Sequence, residues 1–429
     1  MKKILISAVL IAILGLGAWS GAGVYAGFQV EKSLIAFLEQ LPERSPMRVV
    51  DVNHKRGLMV STGEFIIRYA DPQAHGEKRP NLVSAVMQYE VDHHVSWAHM
   101  AEFTWHLKPI GDFEKRINTL FTEGFQVVGQ GNIDWKDVLK SNFAAPALRY
   151  EQGSDKLALG PWQGDMLMNG LIFNFNMQSP EIDIKSQDTF LNVKNITFNV
   201  NLVDRLNGLG VSKLTIDDLS FPTTNVQGVT FKASSAIDQG YLNFEIEKQI
   251  KKADFAGQSI KNIDVFFVLN HLNQQSINML SFVLNEAGNF DNLTTEQQKT
   301  VQTATQRLIQ DGFVVSIPKL QAETERGIIK GDAIFELAAQ AVSPPSPPAF
   351  DSAKQIKAEG QLTVARMILP PEYEGLVQML GLATRSDNGL KSQFSLVDGK
   401  LMINGRNIDV NIQLQRLNQA VTAFLVNGS

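Results

Sequence analysis

Leu171-Ile172-Phe173-Asn174-Phe175-Asn176-Met177 sets large apolar side chains at every second position, with asparagine twice between them. A period of two is that of a strand with one face turned to a core. The alternation returns at Ile182 and Ile184, then at Ile196, Phe198, Val200 and Leu202, and at Leu214 and Ile216. It continues at Val229, Phe231 and Ala233, then at Leu242, Phe244 and Ile246. Breaks containing Gly, Asn or Asp separate these runs, which predicts an antiparallel meander with short connections. No exact repeat is visible, so the pattern is read as a strand array and not as a proven solenoid.

Moving toward the N-terminus, Val83, Ala85, Met87, Tyr89 and Val91 alternate cleanly, and Met47–Val52 and Val60–Tyr69 flank the turn-like 53–58. Phe113, Ile117, Leu120 and Phe121 have helical spacing, and Phe125–Trp135 returns to strand. Toward the C-terminus, Ile277, Leu280, Val283, Leu284 and Ala287 predict one amphipathic helix, and Val301, Ala304, Leu308 and Ile309 a second. Thr294-Thr295-Glu296-Gln297 has the spacing of a capping box. Strands resume at Phe313, Val315 and Ile317 and at Ala333, Phe335 and Leu337, before a proline-rich surface link at 343–348. Pro370 and Pro371 can open a helix carrying Leu376, Val377 and Leu380. Asp398-Gly399 between Phe394, Leu396 and Leu401, Ile403 is the clearest hairpin signal, and Leu414, Leu417, Val421, Phe424 and Leu425 give a terminal helix.

At the far N-terminal end Lys2 and Lys3 precede an uncharged run, Ile4 to Phe28. About 20 helical residues cross a hydrocarbon core, so this run can span, and the flanking lysines orient the bulk of the chain away from the cytoplasm. A cleaved signal peptide is the rival, with Val24 and Ala26 at the small-residue positions before a cut. Retention is preferred because the run is long for a signal core and Phe28, Val30, Leu34, Ile35, Phe37, Leu38 and Leu41 extend an apolar stripe beyond it. Pro42 and Pro46 then break the helix. Gly17 and Gly21, Gly23 and Gly27, and Ala18, Ala22 and Ala26 recur four apart, a spacing that lets two such helices pair as a homodimer.

Composition narrows the function classes. Charged residues make up 19% and net charge is −5, with no Lys/Arg cluster interleaved with aromatics, which argues against nucleic acid as a partner. The chain has no cysteine, which removes disulfides, thiolate catalysis, cysteine-based metal sites and a lipidated cysteine anchor.

Three stretches carry a family resemblance: Lys55-Arg56-Gly57-Leu58-Met59-Val60-Ser61, Val268-Leu269-Asn270-His271-Leu272-Asn273 and Gly399-Lys400-Leu401-Met402-Ile403-Asn404-Gly405. In order after an N-terminal span, they resemble the early Arg-Gly-Leu/Phe-x-Ser motif, the strand-to-helix junction and the late hairpin of the bacterial family labelled domain of unknown function 945. Members often carry His-Gly-Pro where this chain has His93-His94-Val95-Ser96. The resemblance implies an envelope protein anchored in the bacterial inner membrane with its bulk in the periplasm, and it supplies no catalytic residues.

The chemistry-bearing residues have bland readings beside functional ones. His93, His94, His99 and His106 lie close in sequence, but on one continuous strand His94 and His106 face opposite to His93 and His99, so no metal site is assigned. Arg56 beside Gly57 can hold an anion, although a hairpin glycine at positive φ with a structural arginine explains the pair. Asp217-Asp218 and Glu323 with Glu325 read as solvent-facing carboxylates. Nucleophile elbow, P-loop and dinucleotide fingerprint are all absent from the sequence. No catalytic, cofactor-binding or metal residue is therefore named, and no cofactor is expected.

The expected fold is α+β, mainly antiparallel β: an N-terminal transmembrane helix followed by a large β-rich ectodomain with covering helices. Residues 1–28 form the anchor or uncleaved signal, 29–46 a juxtamembrane helix and linker, and 47–429 one periplasmic domain with a helical insertion at 273–311 and a C-terminal helix at 413–427. The expected function is a non-enzymatic envelope scaffold or assembly factor. Its partners are the membrane through residues 4–28, a second copy, and an envelope protein or lipid. A lipid-handling module and a hydrolase without a recognisable motif are the alternatives. Apolar strand faces packed into a closed core are the default, against an open groove for acyl chains.

Overall fold

The computed structural model describes residues 47–427 apart from 58, 71–80, 94, 95, 97, 121–124, 187, 188, 256, 288–292, 341–349, 366, 367, 369, 370 and 388. The expected anchor 1–28, the juxtamembrane helix and linker 29–46, and the proline-rich link 343–348 lie outside these residues. Among the described residues no helix is long and apolar enough to cross a membrane. The chain clusters into two compact units, residues 1–208 and 209–429, where the sequence marks no boundary.

The first unit contains β1 (Met47–Lys55), β2 (Val60–Ala70), β3 (Asn81–Asp92), β4 (Ala101–Pro109), the helix α1 (Gly111–Leu120), β5 (Val127–Ile133) and β6 (Leu139–Ala145). It continues with β7 (Leu148–Gln152), β8 (Asp155–Leu159), β9 (Trp162–Asn169), β10 (Ile172–Ser186) and β11 (Thr189–Asp204). Each of β1 to β5 pairs antiparallel with the next, β6 pairs with β9, β9 with β10 and β10 with β11. The β7–β8 hairpin lies against the second half of β10. The sequence shows 171–177 and 182–184 as two strands, but β10 is one strand of 15 residues. Its inward positions step by three between Ser179, which is buried, and Ile182, and β11 makes the matching step from Ile196 to Val193. Left-handed Asn195 sits inside that step, opposite Pro180, and re-aims the chain without ending the strand.

Glycines on the inner face of this unit are seats for aromatic rings. A Cβ on Gly129 would lie 2.2 Å from Trp105, one on Gly164 2.5 Å from Phe143, and one on Gly63 2.2 Å from the Tyr89 hydroxyl. The register places each glycine directly opposite the residue whose ring covers it. The Trp105 indole donates to Ser141 Oγ at 2.9 Å, and Phe143 stacks on Phe175 at 5.5 Å. The other face is polar in a continuous row: Thr62, Glu90, Thr104, Gln130, Asn142, Asp165, Asn176 and Asn199 stand opposite one another strand by strand.

The second unit opens with four long strands, β12 (Leu209–Phe221), β13 (Thr224–Asp238), β14 (Tyr241–Phe255) and β15 (Gln258–Asn273). Two helices follow, α2 (Gln274–Ala287) and α3 (Thr295–Asp311), which fill the expected insertion 273–311. The capping box forms as read: Gln297 N donates to Thr294 Oγ1 at 3.3 Å, and Thr294 N donates to Gln297 Oε1 at 2.9 Å. Then come β16 (Phe313–Thr324), β17 (Gly327–Leu337), the short α4 (Ser352–Gln355), β18 (Ile356–Val364) and α5 (Pro371–Met379). The chain closes with β19 (Thr384–Ser386), β20 (Gly389–Val397), β21 (Lys400–Ile403), β22 (Arg406–Ile408) and α6 (Asn411–Asn427), two residues longer at its start than expected. The lateral order from β12 to β18 is sequential, then β20, β21 and β22, all antiparallel, with β19 also beside β20. Asp398 and Gly399 both take positive φ, 49° and 71°, as a two-residue hairpin of the primed type requires.

A second crease crosses β12 to β15. Ile216, Val229, Ile250 and Ile263 lie at one level, and Leu219, Val226, Ala253 and Ile260 three residues along at the next. Gly228 and Asn262, both left-handed, sit between the two levels.

Candidate functional site

On β12 to β14 the alternation separates two chemistries, with Lys248 the exception on the apolar face, whereas on β15 Phe266 and the buried Val268 stand on the reverse face. Leu214, Phe231, Val265 and Leu320 share a level and a face, as do Ala233, Ile246 and Phe267, and Phe244, Leu269, Val315, Phe335, Ala358 and Leu396. The reverse face carries Lys213, Thr230, Lys232, Glu245, Glu247 and Gln249. A one-sided apolar sheet needs a second layer. At one end it has one: Ile309 of α3 and Val421 and Leu425 of α6 pack on Leu337, Ile356, Phe313 and Phe335, and Leu337 and Ile356 keep only 6% and 8% of their surface exposed. Away from the helices the cover stops. Among the described residues of 210–267 no apolar side chain is buried, most being half-buried, and Phe231 on the apolar face keeps 38% exposure. The expectation of covering helices holds for one end of this face, where α2 and α3 contact β15; along β12–β14 the described apolar side chains are half-buried or exposed.

The histidines do not lie on one continuous strand: His93 and His99 stand in the connection between β3 and β4, and His106 on β4. His93, directly after β3, is fully buried and its Nε2 lies 2.7 Å from Ser61 Oγ, itself fully buried. His106 faces the polar side of β4, His99 pairs with Glu102 at 3.2 Å, and His94 is outside the described residues. No group of metal-ligating side chains occurs among the described residues. Burial holds the His93 imidazole below its ordinary value; Asp92 opposes this and His54 adds to it. Sequence reasoning quoted Ser61 and His93 in separate contexts and missed the pair. Their common parity on neighbouring strands was the available signal, since Ser61 faces Val91 and His93 is two residues further on. A serine hydrogen-bonded to a histidine has the chemistry of a nucleophile and its base, but this serine and this imidazole are sealed from solvent, and His93 Nδ1 is buried without a partner where a triad carboxylate would stand.

The remaining residues do not converge. Gly57 is needed for close approach, since a Cβ there would meet the Val60 carbonyl at 2.1 Å; its φ is not positive, which corrects the hairpin reading. Glu323 accepts from Asn262 at 2.9 Å, and Asp218 faces Gln227 across β12–β13. Two large open cavities, about 840 and 640 Å³, lie on polar sheet faces. The first gathers Asp332, Glu359, Gln361 and Gln393, the second His106, Gln130, Asn142 and Asp165, and neither contains Ser61 or His93.

A family model described as bacterial protein of unknown function (DUF945) matches residues 1–370. The chain belongs to the DUF945 family. No curated protein and no solved structure matches it. In this DUF945 chain the early motif ends on Ser61, so the stretch 55–61 and the stretch 93–96 meet at the buried Ser61–His93 contact. The junction motif ends on Asn273, whose side chain accepts from Ser276 N at 2.9 Å and so caps α2, while donating to Asp311 at 2.7 Å. The late hairpin motif 399–405 lies beyond the DUF945 match.

Proposed function

We propose that this DUF945 protein handles membrane lipids, non-enzymatically, on the uncovered apolar face of its second unit, tethered at the bacterial inner membrane by residues 4–28 with its bulk in the periplasm. The observation supporting this reading is the apolar face of β12 to β14, whose described apolar side chains are half-buried or exposed. Contiguous apolar surface of this kind is costly in water and marks a binding face.

The test is mass spectrometry of lipids that co-purify with the full chain, compared with Ile246→Asp and Phe244→Asp variants. Phospholipid retained above the level of an unrelated membrane protein, and lost in both variants while the folded signal persists, is expected. Recovery of no phospholipid overturns the proposal; a stoichiometric protein in its place returns the function to a scaffold.

A further inference from the structure

On the apolar face of β14, between Ile246 and Ile250, stands Lys248. Its cross-strand neighbours are Phe231 on β13 and Val265 on β15, followed by Leu214 and Leu320 on the strands beyond, so the row is apolar on both sides of a single cation. Lys248 is exposed, and among the described residues no carboxylate lies within ion-pair distance of it. Lysines guard sheet edges against pairing, but β14 is paired along both sides and has no edge to guard. The lysine stem can lie along apolar surface and lift its ammonium clear, which presents one positive charge above a hydrocarbon-like floor.

Resting on the lipid reading above, we infer that this site takes a monoanionic glycerophospholipid, its phosphate on the Lys248 ammonium and its two acyl chains in the furrows on either side of β14. Dimensions favour this occupant. From Lys248 the apolar positions Ile246, Phe244 and Leu242 run toward the start of the strand, six residues and about 20 Å. That length covers one leaflet's worth of chain, about 15 Å, half of a bilayer's hydrocarbon core. The furrow between β13 and β14 is floored by Ala233 and Ile246, that between β14 and β15 by Ile246 and Phe267. Strands about 4.8 Å apart thus offer two parallel tracks beside one cation, the layout of a two-chain lipid with one phosphate charge.

The experiment loads the full chain from vesicles containing fluorescent phosphatidylglycerol, phosphatidylcholine or oleate at equal amounts. Wild type is expected to take phosphatidylglycerol about tenfold over phosphatidylcholine, the worth of one charge-assisted hydrogen bond. Lys248→Met should lower phosphatidylglycerol uptake and remove that preference, and Lys248→Arg should keep it. Lys232→Met on the polar face should change neither uptake. Equal uptake of both phospholipids by wild type, or an unchanged ratio in Lys248→Met, overturns the inference and leaves the lipid reading standing. Oleate that displaces phosphatidylglycerol completely overturns the two-chain assignment. Failure to take up any of the three overturns the lipid reading itself.

Discussion

At the scale of single residues the tightest arrangement is the contact of Ser61 with His93, both sealed. With burial disfavouring the imidazolium, the folded chain resists protonation while the unfolded chain takes up a proton near pH 6.5. Stability contributed by neutral His93 is therefore present above about pH 6.5, falls as pH drops through that value, and stops falling below the lower folded value. Thermal melts from pH 8 to 5 should show this loss, and His93→Gln, which cannot titrate, should flatten it. Ser61→Ala leaves His93 Nε2 as well as Nδ1 without a partner and should cost about 1–3 kcal/mol, read from denaturant midpoints. The sequence exposed both residues but not their meeting: a histidine one step past a strand end looks like a surface residue until the register is known. Gly57 was legible as an obligatory glycine, and only the backbone showed that the Val60 carbonyl is what requires it.

At the scale of elements, β2, β3, β5, β10 to β14, β16 and β17 announce themselves through their apolar positions, although β10 and β12–β14 also carry a parity shift that the alternation reads as a break; β15 was marked only by the resemblance at 268–273. β6 and β9 went unread for a specific reason: their inward positions include Ser141 and Gly164, whose space is filled by rings from neighbouring strands, so the period-two pattern disappears from the sequence. Filling such a seat should be costly. Gly129→Ala drives a methyl into the Trp105 ring and is expected to lose about 1–3 kcal/mol by chemical denaturation. Gly375→Ala in α5, where a Cβ meets nothing, should be neutral or gain up to about 1 kcal/mol in the same assay. The hairpin at Asp398-Gly399 and the Thr294 cap were legible in full because local chemistry alone specifies them.

At the scale of the molecule, the sequence tells that each sheet has an apolar side but not whether anything lies on it, because cover is supplied by residues distant in the chain, Ile309 and Val421 among them. The same truncation should therefore have unequal costs along one face. Leu337→Ala, under the helices, is expected to lose about 2–5 kcal/mol, and Ile246→Ala on the uncovered stretch less than about 1 kcal/mol. Denaturant titrations of the two variants check this; equal losses would mean that the stretch is covered in solution. The crease through Gly228 and Asn262 bears on how such a protein can diverge. Its two apolar levels are three residues apart on four successive strands, so deleting one residue from any single strand would put that strand's leucines and isoleucines out of step with its neighbours. Descendants of this chain can lengthen its turns freely, but along this line insertions and deletions are admissible only in all four strands at once, which makes the crease an inherited landmark that should keep its place while the surrounding sequence drifts.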